Sequence, residues 1–422
     1  MATYKESVGT AVQNIAGEDG VVTGQLWYDS NASEFKYQEQ VTGNAWSTGN
    51  PLNTARQTAA GAGTQTSGLA FGGYDGTAVT AVTEQYNGTS WTEVADLNAA
   101  RDGLGGFGAD NTSALAFGGD GTPDTTVTES WNGSSWTEVN NMNTGRNTLA
   151  ASGIITSGLV YGGYDTANRA FTESWNGSAW TEVADLNTAR DIMGGAGATN
   201  TASLGWGGRE SNPTTSAKTE SWNGSSWAEV NDLNTGREAM GSTGGAPNTA
   251  ALTFGGAAIP LPTTSKNETE SWNGTSWTEL NNLNSARSYI GGIGSTSTAA
   301  LGYGGYNGTA YVTNTESWNG TSWTEVNDLN TGRGQFQNAG SQPSGLAIGG
   351  SPPNLANTEE WNGTSWTETS DLPTSISSGV GFGTSASAIV ASGQQGPGYT
   401  LSANGYDWTG AGAPQIRTIT SS

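Results

Sequence analysis

Seven arginines recur at one position of a repeated sequence, and a ring of such cations could bind an anion. They are Arg56, Arg101, Arg146, Arg190, Arg237, Arg287 and Arg333. Glutamates recur with the same period, at Glu129, Glu173, Glu220, Glu270 and Glu316. A guanidinium presents a planar fork of donors that matches a carboxylate. Because a residue repeated in every unit usually serves the packing of neighbouring units, we favour a structural role for the arginines over an anion site.

Paired tryptophans recur in the motif ESWNGTSWTE, which runs from Glu270 to Glu279 and has near-copies along most of the chain. Aromatic faces of this kind could stack on sugars. Tyr86 replaces the first tryptophan in one copy, a change that packing tolerates easily. We therefore expect the pairs to fill the wedge between neighbouring units, where each ring buries a large apolar area. The second tryptophans of the pairs include Trp136, Trp180, Trp227, Trp277 and Trp323.

Composition excludes several kinds of chemistry. The 422 residues contain no cysteine and no histidine, so we predict no catalytic residue, no metal site and no cofactor. A net charge of −23, from 37 acidic and 14 basic residues, argues against nucleic acid as a partner, because phosphate binding needs basic patches. The first residues, MATYKESVGTAVQNIAGEDG, lack a signal-peptide core, and no run approaches the roughly 18 apolar residues of a membrane span. We expect a soluble chain made in a cytoplasm, without membrane insertion and without use of its NGT glycosylation motifs.

The repeat has the pattern of a small β-sheet. Its second tryptophan returns every 42 to 50 residues, a period typical of propellers or helical arrays. Each unit contains four strand-like pieces, for example LNSARSYIGGIG, TAALGYGG, VTNTESWNG and TSWTEV. The Asn-Gly pair between the third and fourth pieces predicts a tight hairpin, since both residues tolerate positive φ. The glycine-rich first piece suits the crowded centre of a ring. The sequence therefore predicts an all-β propeller of four-stranded antiparallel blades.

Four landmarks recur in order in each unit: an arginine opening the first strand, a glycine pair closing the second, an aromatic residue in the third and a tryptophan in the fourth. The glycine pairs are Gly72–Gly73, Gly118–Gly119, Gly162–Gly163, Gly207–Gly208, Gly255–Gly256, Gly304–Gly305 and Gly349–Gly350. This pattern resembles the kelch repeat and covers about residues 52–366. With the N-terminal stretch GQLWYDSNASEFKY, the chain is similar to kelch-like propellers in structural proteins of marine tailed bacteriophages. The resemblance implies a virion protein.

The two ends of the chain resemble one blade cut in two. Residues 21–49 carry pieces similar to the second, third and fourth strands, and residues 372–408 carry pieces similar to a first and a second strand. Pairing the two ends would hide two open sheet edges. We therefore predict eight blades within residues 21–408, flanked by an N-terminal arm (1–20) and a C-terminal tail (409–422). Seven blades with a separate N-terminal hairpin is the alternative. The weak hairpin NGYDW near Trp408 leaves open how many strands each end supplies.

The copies disagree most in the links between their second and third strands. In an up-and-down blade these links share one face of the ring, and the uniform Asn-Gly turns share the other. A rigid scaffold that presents binding loops has this pattern. The residues expected to bind a partner there, because tyrosines and carboxylates suit glycan or protein contacts, are Tyr74, Asp75, Tyr164, Asp165, Arg209, Glu210 and Tyr306. The alternative is that these links are exposed connectors without a function.

Together with the phage resemblance, these features predict a non-enzymatic virion component, such as a tail fibre, appendage or surface protein used for host attachment. Its expected partners are other virion proteins, further copies of the chain and a glycan or protein of the host surface. It would assemble in the host cytoplasm and then be extracellular. The alternative function is a polysaccharide-degrading virion enzyme with carboxylates in the variable links, since a glycosidase needs only two carboxylates at a suitable separation.

Overall fold

The structure is a computed structural model. It describes residues 52–372 except 65, 88–89, 122–123, 212–213, 244–248, 260–263 and 353, together with residue 375 and strands near both ends of the chain. All regular elements in these residues are β-strands, and none of the described residues form a helix that could span a membrane. The all-β prediction is therefore confirmed.

Seven antiparallel sheets, each of four consecutive main strands, are the blades of a β-propeller. The first strands of neighbouring blades lie side by side, so they are the innermost strands of the ring. The first strands are Ala60–Thr64, Gly105–Asp110, Ala150–Ile154, Gly194–Thr199, Gly241–Ser242, Gly291–Thr296 and Gln337–Ser341. The second strands are Ser67–Phe71, Ser113–Phe117, Ser157–Tyr161, Ala202–Trp206, Ala251–Phe254, Ala299–Tyr303 and Ser344–Ile348.

The two outer strands of each blade carry the tryptophan motif. The third strands are Thr83–Tyr86, Thr128–Trp131, Thr172–Trp175, Thr219–Trp222, Thr269–Trp272, Thr315–Trp318 and Thr358–Trp361. The fourth strands are Trp91–Glu93, Trp136–Glu138, Trp180–Glu182, Trp227–Glu229, Trp277–Glu279, Trp323–Glu325 and Trp366–Glu368. The fourth blade also has a short two-stranded ribbon, Arg209–Ser211 with Thr214–Thr215, in its second-to-third link.

Glycine in the first strand makes room for an aromatic ring of the second. A Cβ on Gly105 would lie 2.2 Å from a ring carbon of Phe117, which no side chain could accept. The ring instead crosses the bare backbone and packs on Trp180 of the next blade, with ring centroids 5.3 Å apart. The small residues at the centre of the ring therefore allow the large residues to pack between blades.

The Asn-Gly turn joins the third and fourth strands, with Trp131 paired directly to Trp136. The loop between them has four residues and is not the two-residue turn that Asn-Gly usually forms. Only the glycine of the pair has positive φ (93° at Gly133). Asn132 acts through its side chain instead, because its Oδ1 accepts hydrogen bonds from the backbone N–H of Ser134 and of Ser135, both at 3.0 Å. The predicted hairpin is present, and its asparagine acts as a hydrogen-bond acceptor.

The ends of the chain form two further sheets. One, here called the closing sheet, contains Val380–Gly383, Ser387–Ala391, Gly405–Thr409 and Ala45–Gly49, in that order. Its first strand lies beside the first strands of the seventh and first blades. The other, here called the terminal sheet, contains Gln13–Ile15, Leu26–Asp29, Glu34–Gln40 and Pro414–Thr418. A small ribbon pairs Gln394–Gln395 with Thr400–Leu401.

The prediction of eight blades is corrected to seven, its stated alternative. We reserve the word blade for sheets formed by one continuous repeat with its arginine and glycine pair, and the closing sheet has neither. Residues 26–40 were expected as its second and third strands, but Gly405–Thr409 pairs with Ser387–Ala391 over five residues and occupies the third position. Only Ala45–Gly49 joins from the N-terminal side. The arm (1–20) and tail (409–422) lie largely outside the described residues, apart from one short strand of the arm and the strand Pro414–Thr418.

Candidate functional site: the axial mouth

The variable face of the ring has a centre built from three recurring positions, here called the axial mouth. These are the two residues after each repeat arginine and the residue after each glycine pair. The residue after the arginine and the residue after the glycine pair form a backbone bridge in every blade. The bridges are Gln57–Tyr74, Asp102–Asp120, Asn147–Tyr164, Asp191–Arg209, Glu238–Ala257, Ser288–Tyr306 and Gly334–Ser351. The backbone is thus equivalent in every blade, while no two bridges carry the same pair of side chains.

The second residue after each arginine has a left-handed backbone conformation. Its φ lies between 46° and 56° in all seven blades. The residues are Thr58, Gly103, Thr148, Ile192, Ala239, Tyr289 and Gln335. Six of them are not glycine, and such residues are uncommon at positive φ and often occur at functional sites. Neighbouring copies meet directly, since the N–H of Tyr289 donates to the carbonyl of Ala239 at 3.3 Å.

The repeat arginines lie beneath this mouth, inside the ring. Arg146 is fully buried, and its Nη1 lies 2.7 Å from Oε1 of Glu173 in the same blade. Its Nε donates to the carbonyl of Gly162, and its own carbonyl accepts the N–H of Gly119 from the preceding blade. The equivalent ion pairs are Arg56–Glu84, Arg101–Glu129, Arg190–Glu220, Arg237–Glu270, Arg287–Glu316 and Arg333–Glu359. The carbonyls of the other arginines from Arg101 to Arg333 accept the same hydrogen bond from the preceding blade, so these arginines join two blades. The hypothesis of an exposed anion ring does not fit the buried ion pairs.

The second tryptophans of the motif also lie between blades. Trp180 donates from Nε1 to Oγ1 of Thr128 in the preceding blade at 2.9 Å and packs on the ring of Phe117. The same hydrogen bond is made by Trp136, Trp227, Trp277, Trp323 and Trp366. Their rings are buried and not positioned to stack on a sugar.

Two of the predicted binding carboxylates stabilise their own loops. Oδ1 of Asp75 accepts hydrogen bonds from Thr77 and from the N–H of Ala78, and the bond from the Thr77 hydroxyl is the main cause of a lowered Asp75 pKa. Oδ1 of Asp165 lies 2.8 Å from Nε of Arg169. Partial burial raises the pKa of Asp165, but the hydrogen bonds from Arg169 and the loop N–H groups outweigh it and the pKa is lowered. Both carboxylates are therefore ionised and engaged within their links.

The predicted pair Arg209 and Glu210 is also engaged in the fourth blade. Arg209 forms a two-pronged ion pair with the buried Asp191, at 3.1 Å from Nε and 2.6 Å from Nη2. This contact raises the pKa of Arg209. Glu210 accepts the hydroxyl of Ser216 at 2.7 Å. The guanidinium of Arg209 is held at the mouth, partly exposed, between Asp191 and the charge of Glu238 in the next blade.

The three predicted tyrosines lie at equivalent points around the mouth. Tyr164 is 39% exposed, whereas Tyr74 and Tyr306 are half-buried. Tyr306 packs on Tyr311 of its own link, with ring centroids 5.1 Å apart. Burial raises the pKa of Tyr311, so its ring offers a neutral aromatic surface. The predicted residues therefore share one rim, but they do not converge on a single point.

Sequence reasoning missed the residue that follows each arginine, including Asp102, Asp191 and Glu238. Glu238 is only 3% exposed, and its Oε2 has no hydrogen-bond partner. Burial is the main cause of its raised pKa, with Asp191 adding to it and Arg209 opposing it. The signal was present in the sequence, because this position varies between copies beside an invariant arginine. No group of three acidic side chains in the described part of the chain is arranged to hold a metal ion.

No family model matched the chain, and no curated protein matched it. A solved structure titled "Structure of YjhT" is similar, with a TM-score of 0.44 and 13% sequence identity, over 64% of this chain and 97% of that one.

Proposed function

We propose that the chain is a non-enzymatic structural component of a bacteriophage virion that presents its axial mouth for recognition. A tail fibre, an appendage or another surface protein would suit this role. The observation that supports a role in recognition is the contrast between the variable face, which includes the axial mouth, and the uniform face of the Asn-Gly turns. The backbone bridges of the mouth repeat in all seven blades, while no two bridges carry the same pair of side chains.

The virion part of the proposal is supported by the resemblance of the repeat to kelch units and of the N-terminal stretch to phage structural proteins. On this proposal other virion proteins hold the chain, in several copies per particle, and the mouth meets a glycan or protein of the host surface. The arm (1–20), apart from its strand Gln13–Ile15 in the terminal sheet, would order against such a neighbour. The protein would assemble in the host cytoplasm and then act outside the cell.

A polysaccharide-degrading enzyme is the second candidate, and Glu238 is the observation that favours it. A buried carboxyl with a raised pKa, to which the nearby Asp191 contributes, has the properties of a general acid. Incubation of the purified protein with host surface polysaccharide distinguishes the candidates. If the wild type leaves the polysaccharide at its full length, the binding role is supported. If the wild type shortens the polysaccharide and Glu238→Gln does not, the enzyme is supported.

Mass spectrometry of purified phage particles tests the virion part. We expect peptides of this chain at a constant stoichiometry to the major virion proteins. Its absence from particles whose genome encodes it would overturn the virion role.

A further inference from the structure

A cleft opens at the axial mouth between the fourth and fifth blades. Its volume is about 310 Å³. Its walls include Ile192 and Met193 from the fourth blade and Ala239 and Met240 from the fifth. Ile192 is 43% exposed, so the apolar wall continues to the surface. A cleft of this size is at the lower end of the range for small-molecule sites.

The inner wall of the cleft is formed by Trp206, at the end of the second strand of the fourth blade. Its indole lies across Gly194, because a Cβ on that glycine would be 2.6 Å from Nε1. Nε1 is buried and has no hydrogen-bond partner. A buried N–H without a partner is rare in proteins and is costly to leave unsatisfied. The N–H group therefore favours a ligand that brings an oxygen acceptor to the cleft.

The other blades show that this donor is a special feature of the fourth. The equivalent residues Phe71, Phe117 and Phe254 have no polar atom, and the equivalent Ile348 is aliphatic. The hydroxyl of Tyr161 donates to the carbonyl of Leu204 at 3.3 Å. The hydroxyl of Tyr303 donates to Oδ1 of Asn338. Of the seven aligned positions, only the tryptophan carries a hydrogen-bonding group without a partner.

The fifth-blade side supplies an acceptor and a second donor. Ser242 lines the cleft with its hydroxyl-bearing side chain, which can donate or accept. A ligand with hydroxyl groups can accept from the indole and exchange a hydrogen bond with Ser242, while a carbon face packs on the methionines.

We propose that this cleft is a binding site for one hydroxylated ring of monosaccharide size, held by Trp206 and Ser242 against the apolar wall. This inference rests on the proposed use of the axial mouth for recognition, and it names the ligand class. A sugar ring matches the cleft because it combines an apolar face with several donors and acceptors. The cleft would hold a single residue of a host glycan.

The test is ligand-observed saturation-transfer NMR of the whole chain with glucose, galactose, mannose and N-acetylglucosamine. We expect at least one to bind with millimolar affinity. Trp206→Phe should weaken binding about tenfold, the effect of one lost hydrogen bond. Because phenylalanine occupies this position in three other blades, the variant should fold. Met240→Phe, which copies Phe336 of the seventh blade, should fill the cleft and abolish binding.

Ala239→Tyr, which copies Tyr289, is a second variant that should fill the cleft. It is used instead if Met240→Phe has a much lower melting temperature than the wild type. Ile154→Ala, on the opposite face, is the control that should bind normally. The proposal is overturned if no sugar binds the wild-type chain, or if Trp206→Phe and the filled variant bind as the wild type does. If sugar binding fails while exchange of the variable links still alters attachment to cells, only this inference is lost and the recognition role stands.

Discussion

At the residue scale, the arginine–glutamate pair is the main polar contact of each blade, and the fifth blade departs from the pattern. Nη2 of Arg237 lies 2.9 Å from Oε1 of Glu270. None of the three guanidinium nitrogens of Arg237 makes a well-directed hydrogen bond. Glu268 adds a second acid close to the same guanidinium, where other blades have Val127 or Asn314. Burial raises the pKa of Glu270, even though Arg237 opposes the change. Among the seven arginine–glutamate ion pairs, the one in the fifth blade therefore leaves the most hydrogen-bonding groups without a partner.

This difference predicts unequal losses of stability. Arg146→Ala should lower the free energy of unfolding by about 3–5 kcal/mol, because it leaves Glu173 buried without its partner. Arg237→Ala should lower it by about 1–3 kcal/mol, since fewer good hydrogen bonds are lost. Urea unfolding of both variants measures the two values. Equal losses would show that the pair in the fifth blade is as well formed as the others.

Glu238 predicts a dependence of stability on pH. Its pKa in the folded chain is raised above the ordinary value of 4.5, so the folded chain binds the proton more tightly than the unfolded chain. Stability is therefore lost as pH rises from 4.5 through the folded pKa, and the full penalty applies above it. Glu238→Gln should melt higher than the wild type at pH 7 and at a similar temperature at pH 4. A variant that melts lower at pH 7 would mean that the ionised carboxylate is stabilising.

At the element scale, the contact between blades is a tryptophan that reaches back to a threonine of the preceding blade. Trp180→Phe keeps the ring but loses the hydrogen bond to Thr128, and we expect a loss of about 0.5–1.5 kcal/mol. Trp180→Ala also removes the packing on Phe117 and should cost about 3–5 kcal/mol. Thermal and urea unfolding measure both. If the two variants are equally unstable, the hydrogen bond and not the ring holds the blades together.

The variable links are the elements most open to exchange. The structure indicates where one link can replace another without loss of folding. The N–H of Ser216 donates to the carbonyl of Gly208, and the N–H of Thr125 donates to the carbonyl of Gly119, so both links end at an equivalent hydrogen bond. Replacing residues 210–215 by residues 121–124 keeps these anchors and the Arg209–Asp191 ion pair. The free energy of unfolding should change by less than about 1 kcal/mol, since the closure entropy of a loop depends weakly on its length. A large loss on urea unfolding would show that the link is part of the core.

The whole ring could be predicted from the sequence where the repeat is regular. Strand order, the innermost glycine-rich strand and the tryptophan pairs around the Asn-Gly turn all follow from local patterns repeated seven times. The strand order of the closing sheet could not be predicted in this way. The strand Gly405–Thr409 lacks the repeat's landmarks, and it takes the third position of the sheet, which was expected for a strand from residues 26–40. The axial mouth was only half predicted. The links were recognised as variable, but the equally variable residue after each arginine was missed, because its place at the mouth depends on a backbone bridge to another part of the blade.

Closure of the ring by both ends of the chain predicts the effect of a truncation. Without residues 1–49 the closing sheet loses Ala45–Gly49, and the strand Gly405–Thr409 becomes an unpaired edge. The truncated chain should melt at a lower temperature and aggregate more readily. Differential scanning calorimetry and light scattering measure both. An unchanged melting temperature would show that the seven blades close without the N-terminal strand.

The central claim is that the variable face, and not the Asn-Gly face, meets the host. Attachment of the labelled protein to host cells should be compared for the wild type, the exchange of residues 210–215 by residues 121–124, and Asn132→Ala on the opposite face. We predict that the exchange reduces attachment at least tenfold, while Asn132→Ala attaches as the wild type does. Full attachment of the exchanged chain, together with loss of attachment by Asn132→Ala, would contradict the account.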